Sequence, residues 1–225
     1  MQSIFLHIGT HRTGTTSLQA YLDLQRTVLN RSGFAFYRGG FMRNNHVELH
    51  AAAMRPGRDT PFRHYARIGD IARLRRYTEQ RVGAFLQRAP QSKLIFSAEG
   101  LAYLRHADEV DYLDSLLAPQ QTTVIVYLRD KAAFLRSYRR QLRLMNLPPS
   151  SDPQHYAYCE ADSWLVDYDA LVGAYSRVFS DVRVLDYDEI CARERTIIPS
   201  FAREIGWHDY DVPDTRLFLN VSRLA

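Results

Sequence analysis

The chain has 225 residues, of which 46% are hydrophobic and 24% are charged, and its formal net charge is +4. This length and apolar content suffice for one α/β domain with a full core, which we predict to span residues 1–225. No run of 18 or more apolar residues occurs, which excludes a membrane-spanning helix, and the two cysteines exclude a disulfide framework. Since the N-terminus lacks a basic region followed by a cleavage site, we predict a cytoplasmic location.

Short apolar stretches alternate with amphipathic ones along the chain. The short stretches are rich in β-branched and aromatic residues, as buried parallel strands are. They are Ser3–Ile8, Phe34–Tyr37, Lys93–Ser97, Thr122–Leu128 and Val182–Tyr187. Apolar residues at helical spacing predict helices over Thr15–Asn30, Arg67–Arg88, Lys131–Met145, Ser163–Phe179 and Ala192–Ile205, the last ended by Gly206. The alternation predicts an α/β fold, a three-layer sandwich with a central, mainly parallel sheet.

A glycine-bounded loop joins the first predicted strand to the first helix. Its sequence is Gly9-Thr10-His11-Arg12-Thr13-Gly14-Thr15-Thr16-Ser17, with the Gly-x4-Gly spacing of a phosphate-binding P-loop. Glycines let backbone N–H groups converge on an anion, and the following helix adds the positive end of its dipole. A nucleotide triphosphatase places lysine after the second glycine, but this chain has Thr15, and Arg12 is the loop's cation. We therefore predict an anion site that does not suit ATP.

A second anion site is predicted where another strand ends. Arg129 follows Thr122–Leu128 directly, and Ser137 lies early in the next helix. Because the carboxyl ends of parallel strands meet at one edge of a sheet, Arg129 is expected beside Gly9–Ser17. Two anion sites at one edge indicate a ligand that is phosphorylated at two separate places.

These two motifs resemble those of the sulfotransferases that use 3′-phosphoadenosine-5′-phosphosulfate (PAPS). The stretch His7–Gln19 is similar to the loop that cradles the 5′-phosphosulfate, and Tyr127–Tyr138 is similar to the motif that binds the 3′-phosphate through its arginine and serine. Weaker similarities extend the resemblance over most of the chain. They lie at Lys93–Leu101, Val184–Ile190 and Phe201–Gly206.

The resemblance implies a P-loop NTPase-like sulfotransferase fold. It implies transfer of a sulfuryl group from PAPS to a hydroxyl or an amine of a carbohydrate, lipid or small molecule, with release of 3′-phosphoadenosine-5′-phosphate (PAP). The implied donor-binding residues are Gly9, Thr10, His11, Arg12, Thr13, Gly14, Thr15, Thr16, Ser17, Arg129 and Ser137, with no metal. Because PAPS has no β- or γ-phosphate, the P-loop lysine is not needed. The family usually has lysine where this chain has Arg12, and often proline where it has Lys131.

Three residues are candidates for the chemistry. Arg12 would stabilise charge on the leaving 5′-phosphate. The acceptor also needs a base for its proton, and Glu99 follows a strand at a position resembling that of a catalytic or substrate-contacting residue in the family; it could instead cap the next helix. His46 is the second candidate base, because histidine titrates near neutrality. His46 and His50 are one helical turn apart, but no third zinc ligand is spaced with them.

The sequence is also compatible with two other functions. The chain could be a degenerate P-loop kinase or NTPase, or a non-catalytic nucleotide-binding protein of the same fold. Basic residues do not interleave with aromatic ones, so no nucleic-acid partner is predicted, and the oligomeric state is open. Acceptor specificity is expected in Tyr37–Arg63 and Leu147–Trp164. The aromatic stretch from His155 to Trp164 could form a lid over the acceptor pocket or pack its rings on the domain. Further residues with expected roles are His7 in the core, Asp130 as a helix cap, and Asn220, Ser222 and Arg223, which could reach the nucleotide or form a frayed tail.

Overall fold

Five parallel strands form the central sheet of the computed structural model, which describes residues 2–117 and 121–211. The strand order is β2-β3-β1-β4-β5. The strands are β1 Ser3–His7, β2 Phe34–Phe36, β3 Lys93–Ser97, β4 Gln121–Leu128 and β5 Asp181–Asp186. The predicted α/β fold with a mainly parallel sheet is confirmed, and every strand pair in the described residues is parallel.

Helices connect the strands and cover the sheet. The α-helices are α1 Thr15–Leu24, α2 Arg26–Arg31, α3 Val47–Ala53, α4 Pro61–Ala66, α5 Ile71–Arg88, α6 Ala107–Leu117, α7 Lys131–Leu144, α8 Tyr168–Ser176, α9 Tyr187–Glu194 and α10 Ile198–Ile205. Short 3₁₀ turns span Glu99–Tyr103 and Trp164–Val166. The helices α3, α4 and α6 are additions to the predicted set.

Alternate residues of β1 belong to different hydrophobic clusters. Ile4 and Leu6 pack into one cluster, whereas Phe5 packs into the other together with Ile95 and Ile125 of the neighbouring strands. Since successive side chains of a strand point to opposite faces, both faces of the sheet are covered, which gives the predicted three layers.

Two predicted helices are each divided in the structure. Thr15–Asn30 contains α1 and α2, which meet at Gln25. The stretch Ala192–Ile205 contains the end of α9 and all of α10, because Arg195 adopts a left-handed conformation with φ 63°. The predicted cap residues behave as expected: the Asp130 carboxylate accepts from the Ala133 N–H at 2.7 Å, and Gly206 ends α10 with φ 67°.

The sheet register brings the functional segments to one edge. His7 pairs with Ser97 on one side and with Ile125 on the other. The segments that follow β1, β3 and β4 therefore leave the sheet side by side, at the edge where ligands bind in open α/β sheets.

Candidate functional site

The glycine-bounded loop after β1 ends at an open helix N-terminus. Gly14 is the N-cap of α1 with φ 76°, no side chain caps the helix, and its first turn carries no acidic residue. The first backbone N–H groups of a helix have no partner within the helix, and they carry the positive end of its dipole. This terminus therefore presents its donors to an anion from outside the helix.

Gly9 allows the loop to approach the segment after β3. Its φ is +96°, and a Cβ atom at this position would lie 3.0 Å from both Cα and Cβ of Glu99. A larger residue would be strained by its φ and would crowd Glu99. The glycine thus places Glu99 directly against the loop.

Arg12, Ser137 and Arg129 lie together, although Arg12 is 125 residues from Ser137 and 117 residues from Arg129 along the chain. The Nε of Arg12 donates to the Ser137 Oγ at 2.8 Å, and the Nη1 of Arg129 donates to the Arg12 carbonyl at 3.0 Å. The first predicted motif thus contacts the second.

Within the described residues, the charge of the Arg129 guanidinium is only partly neutralised, and one of its N–H donors has no acceptor. Its guanidinium lies 5.0 Å from the centre of the Tyr187 ring, and its Nη2 is 3.7 Å from a carboxylate oxygen of Asp188. The buried Nε has no hydrogen-bond partner within the described residues. Burial, followed by the charge of Arg129, lowers the pKa of the Arg12 guanidinium. Two cations held this close favour binding of an anion.

A cavity of about 410 Å³ opens between the loop, α7 and the α9–α10 connection. It is lined by His11, Arg12, Gly14, Thr15, Thr16, Ser17, Glu99, Arg129, Ser137, Arg140, Gln141, Leu144, Met145, Tyr187, Cys191, Arg195, Thr196 and Ile197. The lining contains four arginines, Arg12, Arg129, Arg140 and Arg195, but only one carboxylate, that of Glu99. The cavity is therefore electropositive.

Two of these arginines, Arg140 and Arg195, are not among the site residues predicted from the sequence. Both are exposed, and neither side chain makes a hydrogen bond or an ion pair within residues 2–117 and 121–211. Arg140 lies three residues after Ser137, a spacing that puts both on one helix face and could have revealed it. Arg195 lies between α9 and α10, where the sequence pattern predicts a continuous helix.

Glu99 is held through both of its carboxylate oxygens. Oε2 accepts from the Gln19 amide at 3.0 Å, and Oε1 accepts from the Asn45 amide at 3.1 Å. A carboxylate offers about four lone-pair directions, so these two bonds orient the group without using up its capacity to accept.

Some of the predicted donor-binding residues shape the loop without lining the cavity. Thr10 and Thr13 are buried, and their hydroxyls donate to the carbonyls of Tyr127 and Thr10 at 3.2 and 2.6 Å. Together with Gly9, they are absent from the cavity lining. Their side chains therefore set the conformation of the loop, whereas the residues from Thr15 to Ser17 face the cavity.

His11 lines the cavity as a neutral imidazole. Its ring lies 4.5 Å from that of Tyr103, and the Tyr103 hydroxyl is 2.7 Å from the Tyr138 hydroxyl. Burial, with a smaller effect of the Arg12 charge, lowers the pKa of His11 to about 3. His11 can therefore exchange hydrogen bonds with a ligand at neutral pH without carrying charge.

The structure does not bring His46 to the cavity, which corrects its predicted role as a base. The residue is fully buried, its Nδ1 accepts from the Ser97 backbone N–H at 3.0 Å, and the His46 backbone N–H donates to the Ser97 carbonyl at 3.0 Å. Burial lowers the pKa of His46 to about 3. These bonds attach the loop before α3 to the end of β3 and thereby place the neighbouring Asn45 against Glu99.

The aromatic stretch 155–164 packs on the domain and does not form a lid. Tyr156 is buried, and the Trp164 ring lies 5.9 Å from Tyr103 and within 5.3 Å of the Arg58 and Arg105 guanidinium carbons. None of the stretch lines the cavity. Asn220, Ser222 and Arg223 lie outside the described residues.

Neither a metal site nor a membrane span is predicted for the described residues. They contain no group of three or more histidine, cysteine or acidic residues placed to hold a metal ion. Over the same residues, no helix combines the length and the apolar character needed to cross a membrane.

Comparisons with known proteins find similarity in structure only. No protein-family model matches the sequence, and no curated protein matches it. A sulfotransferase from Alicyclobacillus acidocaldarius is similar in structure, with a TM-score of 0.61, 17% sequence identity, and coverage of 96% of this chain and 85% of that one. Mouse sulfotransferase SULT7A1, solved with PAP, gives a TM-score of 0.47 at 16% identity, with coverage of 96% of this chain and 62% of that one. The resemblance predicted from the two motifs is confirmed at the level of architecture: the chain has the α/β fold of the sulfotransferases.

Proposed function

We propose that the chain transfers a sulfuryl group from PAPS to a hydroxyl or an amine of an acceptor and releases PAP. The observation that carries this proposal is the contact of Arg12 with Ser137 and Arg129, which joins the loop to the second motif in one cavity. Two adjacent cationic sites suit a nucleotide with a phosphosulfate at one position and a separate phosphate at another.

The residues of the cavity fit the donor in charge and in hydrogen-bonding groups. No side chain caps the N-terminus of α1, and the buried Nε of Arg129 has no hydrogen-bond partner within the described residues. Arg140 and Arg195 add two cations that are free of ion pairs within the described ranges. A donor with several negative charges would supply acceptors for all of these groups.

Each residue has a distinct part in the transfer. PAPS supplies an activated sulfuryl group, whose bond to a 5′-phosphate oxygen breaks as a bond from sulfur to the acceptor atom forms. Loop N–H groups and the hydroxyls of Thr15 and Thr16 hold the 5′-phosphate, and Arg12 offsets the charge that develops on it. Glu99 takes the proton from the acceptor, and the amides of Gln19 and Asn45 hold the carboxylate in place.

The alternative of a degenerate P-loop kinase or NTPase is less well supported. Such an enzyme uses the lysine of the loop to reach the β- and γ-phosphates, and Thr15 occupies that position here. PAP differs from ADP by having its second phosphate on the ribose, where Arg129 and Ser137 would bind it.

Thermal unfolding in the presence of PAP, compared with ADP plus Mg²⁺, separates these two functions. A ligand at about 100 times its Kd raises the free energy of unfolding by roughly 2.7 kcal/mol. We expect this stabilisation with PAP. Stabilisation by ADP plus Mg²⁺ and none by PAP would contradict the proposal.

Glu99→Gln separates an enzyme from a non-catalytic nucleotide-binding protein. The amide keeps the size of the side chain but cannot accept a proton from the acceptor, so transfer of labelled sulfuryl should fall about 10²- to 10⁴-fold while PAP binding persists. Equal rates of transfer by the wild type and the variant would show that Glu99 is not the base. A cytoplasmic location and a single domain over residues 1–225 stay predictions.

A further inference from the structure

We infer that the acceptor is an amphiphile, a hydroxyl or an amine attached to a hydrocarbon body, and that Leu144 and Met145 hold its apolar part. This inference rests on the proposed function, because it assigns the portion of the same cavity that lies beyond the two anion sites.

One face of α7 changes in chemistry along its length. Ser137, Arg140, Gln141, Leu144 and Met145 all line the cavity, at spacings that place them on one side of the helix. The first two offer a hydroxyl and a guanidinium, whereas the last two offer hydrocarbon and a thioether. At 1.5 Å per residue, Met145 lies about 12 Å along the helix from Ser137. A ligand portion that reaches the end of α7 therefore leaves the charged part of the cavity.

Apolar side chains continue from this end of the cavity onto the surface. The Tyr65 hydroxyl donates to the Met145 carbonyl, Phe62 lies one helical turn before Tyr65 on α4, and the Phe62 ring is 5.3 Å from Phe41. We call these five residues, Leu144, Met145, Tyr65, Phe62 and Phe41, the apolar strip.

Three of the five residues of the apolar strip are exposed to an extent that their residue types do not favour, whereas Met145 and Phe62 are half-buried. The exposed fractions are 78% for Leu144, 52% for Tyr65 and 47% for Phe41. Scattered exposed apolar residues need no explanation, but a connected set that starts in a ligand cavity marks a binding surface. Its continuity with the cavity indicates that the occupant is the acceptor itself.

The chemistry of the strip selects among acceptors. A carbohydrate carries hydroxyls on all sides, and burial against Leu144 and Met145 would leave them without hydrogen bonds, which costs free energy. A hydrocarbon chain gains from the same contact, and its terminal hydroxyl or amine would be directed toward Glu99, which lines the polar part of the same cavity. The strip therefore favours an amphiphile over a sugar.

The inference is tested with straight-chain alcohols from butanol to octanol as acceptors and labelled PAPS as the donor. We expect kcat/KM to rise by up to about fourfold for each methylene, the factor that the burial of one CH₂ group supports. Leu144→Ser should flatten this dependence. The matched control is Leu24→Ser: Leu24 is 67% exposed on α1 and outside the cavity lining, so this variant should keep the wild-type slope. Equal kcat/KM for all the alcohols, or a higher value for methyl glucoside than for octanol, would overturn the inference.

Calorimetric binding of the same alcohols keeps the test independent of turnover. Octanol should bind the protein saturated with PAP more tightly than butanol does, and Leu144→Ser should remove the difference. Equal affinities of the wild type for octanol and butanol would overturn the inference that the acceptor is an amphiphile, even if transfer is observed. Failure of PAP to bind would contradict the proposed function instead, so the two failures are distinguishable.

Discussion

Acidification should unfold this protein at a mildly acidic pH, because four histidines in the described residues are buried. Burial lowers the pKa of His7, His11, His46 and His50 from 6.5 to about 3. They stay neutral in the folded chain but take up protons near pH 6.5 in the unfolded chain. Their contribution to stability is thus complete above pH 6.5 and is lost as the pH falls toward 3.

The size of the loss follows from the distance to the unfolded pKa. At pH 5.0 each histidine lies 1.5 units below 6.5, which at about 1.36 kcal/mol per unit costs about 2 kcal/mol. The folded pKa hardly enters this figure, since pH 5.0 is still well above it. Four histidines together cost about 8 kcal/mol, which is comparable to the whole stability of a typical domain, about 5–15 kcal/mol.

Urea unfolding followed by circular dichroism at pH 7.5 and pH 5.0 measures this loss. Buried Glu48 acts in the opposite direction, because burial raises its pKa and acidification then favours the folded state. A variant comparison isolates one histidine: His46→Asn offers an amide oxygen to the Ser97 N–H and should shrink the loss by about 2 kcal/mol. Val82→Ala, in the core, should lower stability equally at both pH values. A wild-type loss under about 2 kcal/mol, or an unchanged loss in His46→Asn, would refute the reasoning.

Three further predictions concern the site and its support. Arg12→Ala should lower kcat for sulfuryl transfer by about 10²- to 10³-fold, because it removes a preorganised charge; steady-state rates with PAPS check this, and a change within threefold would contradict it. Gly9→Ala should lower both thermal stability and transfer, because its Cβ would lie 3.0 Å from Glu99; wild-type melting temperature and rate would contradict it. Arg58→Met should cost about 1–3 kcal/mol in urea unfolding, since it removes the ion-pair partner now 2.7 Å from the buried Glu109 carboxylate, which still accepts from the backbone N–H groups of Arg55, Arg105 and His106; a cost near zero would show that this pair is dispensable.

The meeting of the two motifs could be predicted from the sequence because it depends on strand order alone. Short buried strands fix a parallel sheet, and a parallel sheet brings the segments after β1 and β4 to one edge. The spacing between Arg129 and Ser137 then follows from the period of α7. This prediction does not depend on side-chain packing. It can therefore relate Arg12 to Arg129, which lie 117 residues apart along the chain.

The failure of His46 as a base shows what residue type alone does not determine. A histidine near a predicted rim suits acid–base chemistry, but every residue of α3 is buried, and the pairing of His46 with Ser97 depends on contacts across 51 residues. The same limit applies to Arg195, whose place in the cavity requires the break between α9 and α10. The orientation of Glu99 by Gln19 and Asn45 also depends on such contacts, although the residue itself could be chosen from the sequence.

Calorimetric titration of PAP and of 5′-AMP tests most directly whether the cavity binds a nucleotide phosphorylated at two separate places. The two ligands differ only in the 3′-phosphate. We predict that the wild type binds PAP more tightly than 5′-AMP by about tenfold or more, since a charge-assisted bond contributes about 1.5–3 kcal/mol. Arg129→Ala should lower the affinity for PAP by about tenfold or more. It should lower the affinity for 5′-AMP much less, because Arg129 supports the 5′-phosphate loop only through its bond to the Arg12 carbonyl. Equal affinity of the wild type for the two nucleotides, or no binding of either, would contradict the central claim.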